Sequence, residues 1–139
     1  MVVLEFAFSE GLRGLQQPGG NETDRVICTG THDDDTRVGW WEHATPAERA
    51  NVERALAAAR VDEGQPRWAL IRLAHRSPAR LSLIAAEDLL GLGSGRMKTP
   101  GKTHGNWAWR LTPGELRDDL ARRTRELTVA TQCLDRKRP

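Results

Sequence analysis

RVICTGTHDDDTRVGWW, residues 25–41, changes character in its middle. Its first part, RVICTG, is apolar along its length and β-branched at Val26 and Ile27, as a strand covered on both faces should be. Directly behind it stand one histidine, three consecutive aspartates and two tryptophans. In parallel α/β folds the carboxyl ends of strands are where catalytic groups are placed. The meaning of this stretch therefore depends on whether its neighbours build such a sheet.

On its amino-terminal side, Met1 is followed at once by VVLEFAF, residues 2–8, a β-branched and aromatic run that reads as a strand. It starts without a cap or loop, so its neighbours are expected to come from elsewhere. Residues 9–24, SEGLRGLQQPGGNETD, read as a long loop. On the carboxyl side, Thr45, Pro46 and Glu48 supply an N-cap, a first-turn proline and a capping-box glutamate. They open an Ala-rich helix to about Arg60 with Val52, Leu56 and Ala59 on one face. A second helix covers PRWALIRLAHRS, residues 66–77, with Trp68, Ile71 and Ala74 or His75 facing inward, and Pro78 closes it. ARLSLIAA, residues 79–86, has strand length and leads into EDLLGLGSG, a helical turn broken by glycines. Thr112, Pro113 and Glu115 repeat the helix-start signal. Leu116, Leu120, Thr124, Leu127, Thr131 and Leu134 then mark the stripe of a long terminal amphipathic helix, with Asp118–Arg122 and Asp119–Arg123 as i,i+4 pairs.

Strand, loop, strand, two helices, strand, loop, helix is the signature of a parallel α/β sheet. Three strands make neither a closed barrel nor a well-covered open sheet, because both outer strands would expose unpaired backbone. Residues 1–139 therefore read as a portion of a larger fold rather than a complete separate domain. No stretch is long and apolar enough to span a bilayer, and residues 1–8 lack the pattern of a signal peptide. Cys28 and Cys133 are too few for a disulfide framework and read as reduced thiols, so a cytoplasmic protein is expected. The net charge of +2 arises from 21 basic and 19 acidic residues. They are interspersed, with no basic stripe for nucleic acid, and the terminal DRKRP reads as a solvated tail. Neither nucleic acid nor membrane is an expected partner.

Three chemistries compete for His32 to Asp35. Aspartates favour helix N-caps and first turns, so Asp33 to Asp35 could simply cap a helix starting near Thr36. Carboxylates, an imidazole and tryptophan rings also suit sugars: carboxylates hold ring hydroxyls and stabilise an oxocarbenium-like transition state, and Trp faces stack on pyranoses. A histidine with three aspartates is also a plausible metal-ligand set, but no second such motif supports it, and His104 would serve only if the fold brought it close. Trp107 and Trp109 would share a face if NWAWRL is extended, and core packing is the expected role of at least three of the five tryptophans. Gly91, Gly93 and Gly95 lack the Lys-Ser/Thr of a phosphate loop.

The segments VLEFAF, VICTGTHDDDT, VGWW, ALIRLA, EDLLGLGSGRM, TPG and GNWAWRL, in this order, together resemble the last part of the amylomaltases, the 4-α-glucanotransferases also called disproportionating enzymes. The likeness runs from Val2 to the terminal helix. It implies about strands six to eight of a TIM (β/α)8 barrel of the α-amylase type, and transfer of α-1,4-glucan segments by a retaining double displacement through a covalent glycosyl-enzyme. It also implies Asp33 as the catalytic carboxylate that stabilises the transition state, with His32 on the same sugar ring and Phe6 on the acceptor side. Glu10 falls where the family commonly has an aspartate in a substrate-covering loop. Lys98 and Pro100 fall in the glucan-binding R-M-N-x-P-G motif, Lys98 replacing the asparagine. Asp34 and Ala108 also depart from the usual Asn and Arg. The family's nucleophilic aspartate and acid/base glutamate precede the strand at Val2, so the resemblance implies an inactive chain completed by an amino-terminal barrel portion, with a maltodextrin substrate and no cofactor. The alternative is a non-catalytic glucan-binding or partner-completed fragment.

Overall fold

A parallel three-stranded sheet in the order β1-β2-β3 organises the computed structural model, which describes residues 1–9, 23–95 and 102–131. The strands are β1 Val2–Val3, β2 Val26–Cys28 and β3 Leu81–Leu83, and the helices are α1 Arg37–His43, α2 Pro46–Ala58, α3 Pro66–Arg76, α4 Ala86–Leu90 and α5 Asp118–Ala130. The α/β class expected from the alternation is the one observed. Val2 pairs with Ile27, and Ile27 with Ser82, while Val3, Cys28 and Leu83 form the next row. Successive side chains on a strand point to opposite faces, so Val2, Ile27 and Ser82 share one. Val2 and Ile27, with Leu4, pack there against Trp40, Val52, Leu70, Leu73 and Ala74 of the helices.

Local chemistry sets most helix ends. At α2 the capping box forms: Thr45 Oγ1 accepts from Glu48 N at 3.2 Å, and Thr45 N donates to Glu48 Oε2 at 2.8 Å. In α3, which starts on Pro66 and stops before Pro78, Trp68, Ile71, Ala74 and His75 are all buried. Gly91 ends α4 with φ +71°, the left-handed cap conformation that glycine adopts without strain.

Two expected elements are displaced. The first strand stops at Val3, and Glu5–Ala7 forms a single 3-10 turn. Leu4 N still donates to Cys28 O at 2.9 Å, but β2 has no further rungs to offer there. Turning at this point keeps Leu4 and Phe8 in the helix layer, where the Phe8 ring lies 6.1 Å from that of Trp40, and brings Glu5 and Phe6 to the rim. The terminal helix begins at Asp118 rather than at Thr112. Half of a capping box forms, Thr112 N donating to Glu115 Oε2 at 2.6 Å, but Gly114 sits at φ +87° and the chain turns away. Leu116 is consequently exposed and leaves the stripe, whereas Leu127 packs on Trp68 and Ile71 with Leu120 alongside. Neither expected i,i+4 pair forms: Asp119 pairs with Arg117 at 3.0 Å, and Arg123 reaches Glu63 at 2.7 Å. Leu134 and Cys133 lie outside the described residues. Trp40 and Trp68 are buried and Trp41 packs half-buried against the core, so three of the five tryptophans take the expected packing role, while Trp109 is half-buried and Trp107 exposed.

β3 is an outer strand, and Leu81 and Leu83 are 49% and 48% exposed on the face opposite the helices. An apolar outer strand of this kind templates association. The 139-residue chain is expected to self-associate in sedimentation velocity, and Leu81→Lys with Leu83→Lys to shift it toward monomer. A sharp monomer with cooperative two-state unfolding would contradict this.

Candidate functional site

Parallel strands end on one rim, and β2 delivers the segment from Thr29 to Thr36 to it. Thr29 is fully buried; its hydroxyl donates to Asp88 Oδ2 at 2.6 Å and accepts from Ala85 N at 3.2 Å, tying the loop to the start of α4. Next, Thr31 Oγ1 donates to Asp34 Oδ2 at 2.6 Å and accepts from Asp33 N at 3.2 Å, closing a tight polar turn. The cap of α1 is Thr36, which accepts from Gly39 N at 3.1 Å. Asp35 Oδ1 accepts from Thr36 N at 2.8 Å, and Asp88 Oδ1 accepts from Arg37 N at 2.7 Å. These three side chains satisfy the first donors of the helix.

His32 and Asp33 stand further out on the crest. His32 Nε2 lies 3.3 Å from Asp33 Oδ2, and the two side chains are 72% and 53% exposed. The loop Lys102–Arg110 reaches the same crest, where Trp107 Nε1 donates to His32 O at 2.5 Å. Trp107 has φ +57°, so the extended arrangement in which it would share a face with Trp109 does not occur. Phe6 is half-buried in the 3-10 turn on the same rim. Glu10, Lys98 and Pro100, like all of Arg96–Gly101, lie outside the described residues. His104 Nδ1 is engaged with Thr103 Oγ1 at 2.8 Å, and among the described residues no three His, Cys, Asp or Glu side chains gather as metal ligands.

Beneath the crest lies a buried charge cluster that the sequence did not announce. The Arg37 side chain is 0% exposed; its Nη2 sits 2.7 Å from Glu5 Oε2 and donates to Asp35 O at 2.6 Å, while Nε is 4.0 Å from Asp88 Oδ2. Gly30 leaves room for this guanidinium, whose Nη2 would be only 3.1 Å from a Cβ there. Its traces in the sequence are a glutamate inside an apolar run and an arginine one residue past a helix cap. The partnership exists only once β1, β2 and α4 are assembled. Burial pushes the Glu5 carboxyl above its ordinary range although Arg37 pulls it down, and burial does the same to Asp88 against Thr29 and Arg37.

A carboxyl whose folded pKa exceeds its unfolded value holds its proton more tightly in the folded chain. Its favourable contribution is full below the unfolded pKa and is lost as pH rises through the folded one. From about pH 4 upward, Glu5 and Asp88 should therefore lower stability as they ionise. Glu5→Gln should flatten the dependence of melting temperature on pH in the weakly acid range, and equal slopes in the two proteins would contradict that.

A separate cavity of about 690 Å³ lies between α3, α4 and α5, lined by Trp68, Arg67, Arg123 and Leu120 among others and by none of the rim residues.

Residues 1–117 match the family described as 4-alpha-glucanotransferase, glycoside hydrolase 77. The chain is 44% identical over 141 aligned positions to a 4-alpha-glucanotransferase of Thermus thermophilus, covering 96% of this chain and 28% of the relative. It is 42% identical to the chloroplastic/amyloplastic 4-alpha-glucanotransferase DPE1 of Oryza sativa subsp. japonica, covering 87% of this chain and 20% of the relative. The chain thus spans only 20–28% of these relatives' lengths. Among solved structures, the amylomaltase from Streptococcus agalactiae in complex with acarbose superposes with a TM-score of 0.79 at 24% identity, over 95% of this chain and 27% of that one. At that identity the likeness speaks to the fold.

Proposed function

Because the chain belongs to the 4-alpha-glucanotransferase family, we propose that it forms the carboxyl-terminal part of an enzyme that moves α-1,4-glucan segments between maltodextrins. In this reading β1, β2 and β3 are about strands six to eight of a TIM (β/α)8 barrel. The nucleophilic aspartate and the acid/base glutamate are contributed by the part of the relatives' length that this chain does not span.

The observation that carries the proposal is the division of labour behind β2. Thr36, Asp35 and Asp88 serve the α1 amino terminus, and the exposed pair His32–Asp33 stands at the carboxyl end of the central strand. An ionised Asp33 there would hold hydroxyls of the sugar in the cleavage subsite and stabilise the positive charge that develops as the glycosidic bond breaks. His32 would donate to the same ring, and Phe6 would line the acceptor side. Glu10, Lys98 and Pro100 would bind the flanking glucan, as the family's motif implies. The reaction is a retaining double displacement, which requires a nucleophile and an acid/base about 5 Å apart, and it uses no cofactor. The partners are the glucan and the amino-terminal barrel portion, not nucleic acid or membrane, and the setting is cytoplasmic.

Asp33 cannot replace both other carboxylates. Residues 1–139 alone should therefore release no glucose and build no longer maltodextrins from maltotriose. Turnover near the rate of a full-length relative would overturn the proposed division of the catalytic carboxylates.

A further inference from the structure

Trp107 combines three features that core packing does not explain. It is 46% exposed although it is a large aromatic. Its backbone is left-handed at φ +57°, a conformation that a bulky residue adopts only when its surroundings impose it, and such outliers gather at functional sites. Its indole N–H donates to His32 O at 2.5 Å, a bond between positions 75 apart in sequence.

The loop around it is built to hold that posture. Gly105 takes φ +79° just before it, Asn106 Nδ2 donates to Lys102 O at 2.9 Å, and Arg110 Nη1 donates to both Trp107 O and Trp109 O at 2.7 Å. The polar edge of the indole is thus engaged with the His32 backbone at the crest while Trp107 remains 46% exposed. Ligand sites commonly combine aromatic surface with a few placed polar groups, and an indole offers a large apolar payload with a polar handle. A glucopyranose ring matches that arrangement, because its C–H face is apolar and its edge carries hydroxyls for a carboxylate and an imidazole.

We propose that Trp107 is a sugar-stacking residue of the His32–Asp33 site, its ring fixed by the N–H bond to the His32 carbonyl and covering the apolar face of a glucose unit. The assignment rests on the glucan reading above. A purely structural latch would need the N–H alone; a stacking surface needs the ring.

The test is calorimetric titration of the 139-residue chain with maltoheptaose, alongside Trp107→Phe and Trp107→Ala. Trp107→Ala should weaken binding about tenfold or more, equivalent to about 1.4 kcal/mol, and Trp107→Phe should stay within about threefold because it keeps an aromatic face. Independently of any variant, saturating maltoheptaose should protect Trp107 of the unmutated chain from oxidation by N-bromosuccinimide, read by peptide mass. If Trp107→Ala binds as tightly as the unmutated chain, or Trp107 oxidises equally fast with the sugar present, this assignment falls and the glucan reading stands. If the folded chain binds no maltoheptaose, the stacking assignment falls, and the glucan reading, which places the rest of the cleft in the amino-terminal barrel portion, is judged by turnover of the complete barrel.

Discussion

Arg37→Ala should lower stability at neutral pH by about 3–5 kcal/mol, the usual range when one partner of a buried ion pair is removed. The Arg37 side chain is 0% exposed, and its carboxylate neighbours Glu5 and Asp88 are only 19% and 1% exposed. Taking away the cation leaves two buried negative charges whose solvation is poor and whose pKa values burial already raises. They would protonate or draw in water, so the deficit should shrink as pH falls. The contrast variant is Arg37→Met with Glu5→Gln, which removes a charge of each sign together; replacing buried pairs by neutral groups of similar volume is often close to neutral. Urea unfolding of the three proteins at pH 7 separates the cases. A loss below about 1 kcal/mol, the level of an exposed pair, would mean that Arg37 is solvated rather than buried in charge.

The cluster also matters to the rim above it. Arg37 N and Thr29 Oγ1 both bond to Asp88, so one carboxylate from α4 fixes the two ends of the segment that carries His32 and Asp33.

What the sequence made legible follows from how local each signal is. The capping box at Thr45 and Glu48, the proline brackets of α3 and the apolar run of β2 act within a few residues, and all three stand where expected. The terminal helix failed for a related reason: Thr112, Pro113 and Glu115 carry a genuine start signal, but the positive φ of Gly114 overrides it and pushes the start to Asp118. At VVLEFAF, propensity favoured a full strand, whereas the ladder available on β2 and the burial of Leu4 and Phe8 decided for a turn. The crest was legible because His32 and Asp33 follow a strand directly. The frame that holds it was not, because Glu5, Arg37 and Asp88 meet only through the sheet, and the reach of Trp107 to His32 depends on the left-handed turn of its own loop.

Asp33→Asn separates the proposed catalytic role from helix capping in a single variant. Asparagine is itself a good N-cap, and capping is typically worth about 1 kcal/mol. Here the α1 cap is already Thr36, supported by Asp35 and Asp88, so stability should not move. A neutral amide cannot stabilise the positive charge developing on the sugar, and loss of one preorganised electrostatic contact commonly reduces turnover by about 10²–10³-fold. Residues 1–139 grafted onto the amino-terminal part of the Thermus thermophilus relative provide the complete barrel in which to measure it. The decisive comparison is the rate of glucose release from maltotriose by the graft with and without Asp33→Asn, each paired with its melting temperature. A catalytic Asp33 requires a fall of about 10²-fold or more at an unchanged melting temperature. Equal rates in the two grafts would contradict it and leave Asp33 as one polar residue among three before a helix.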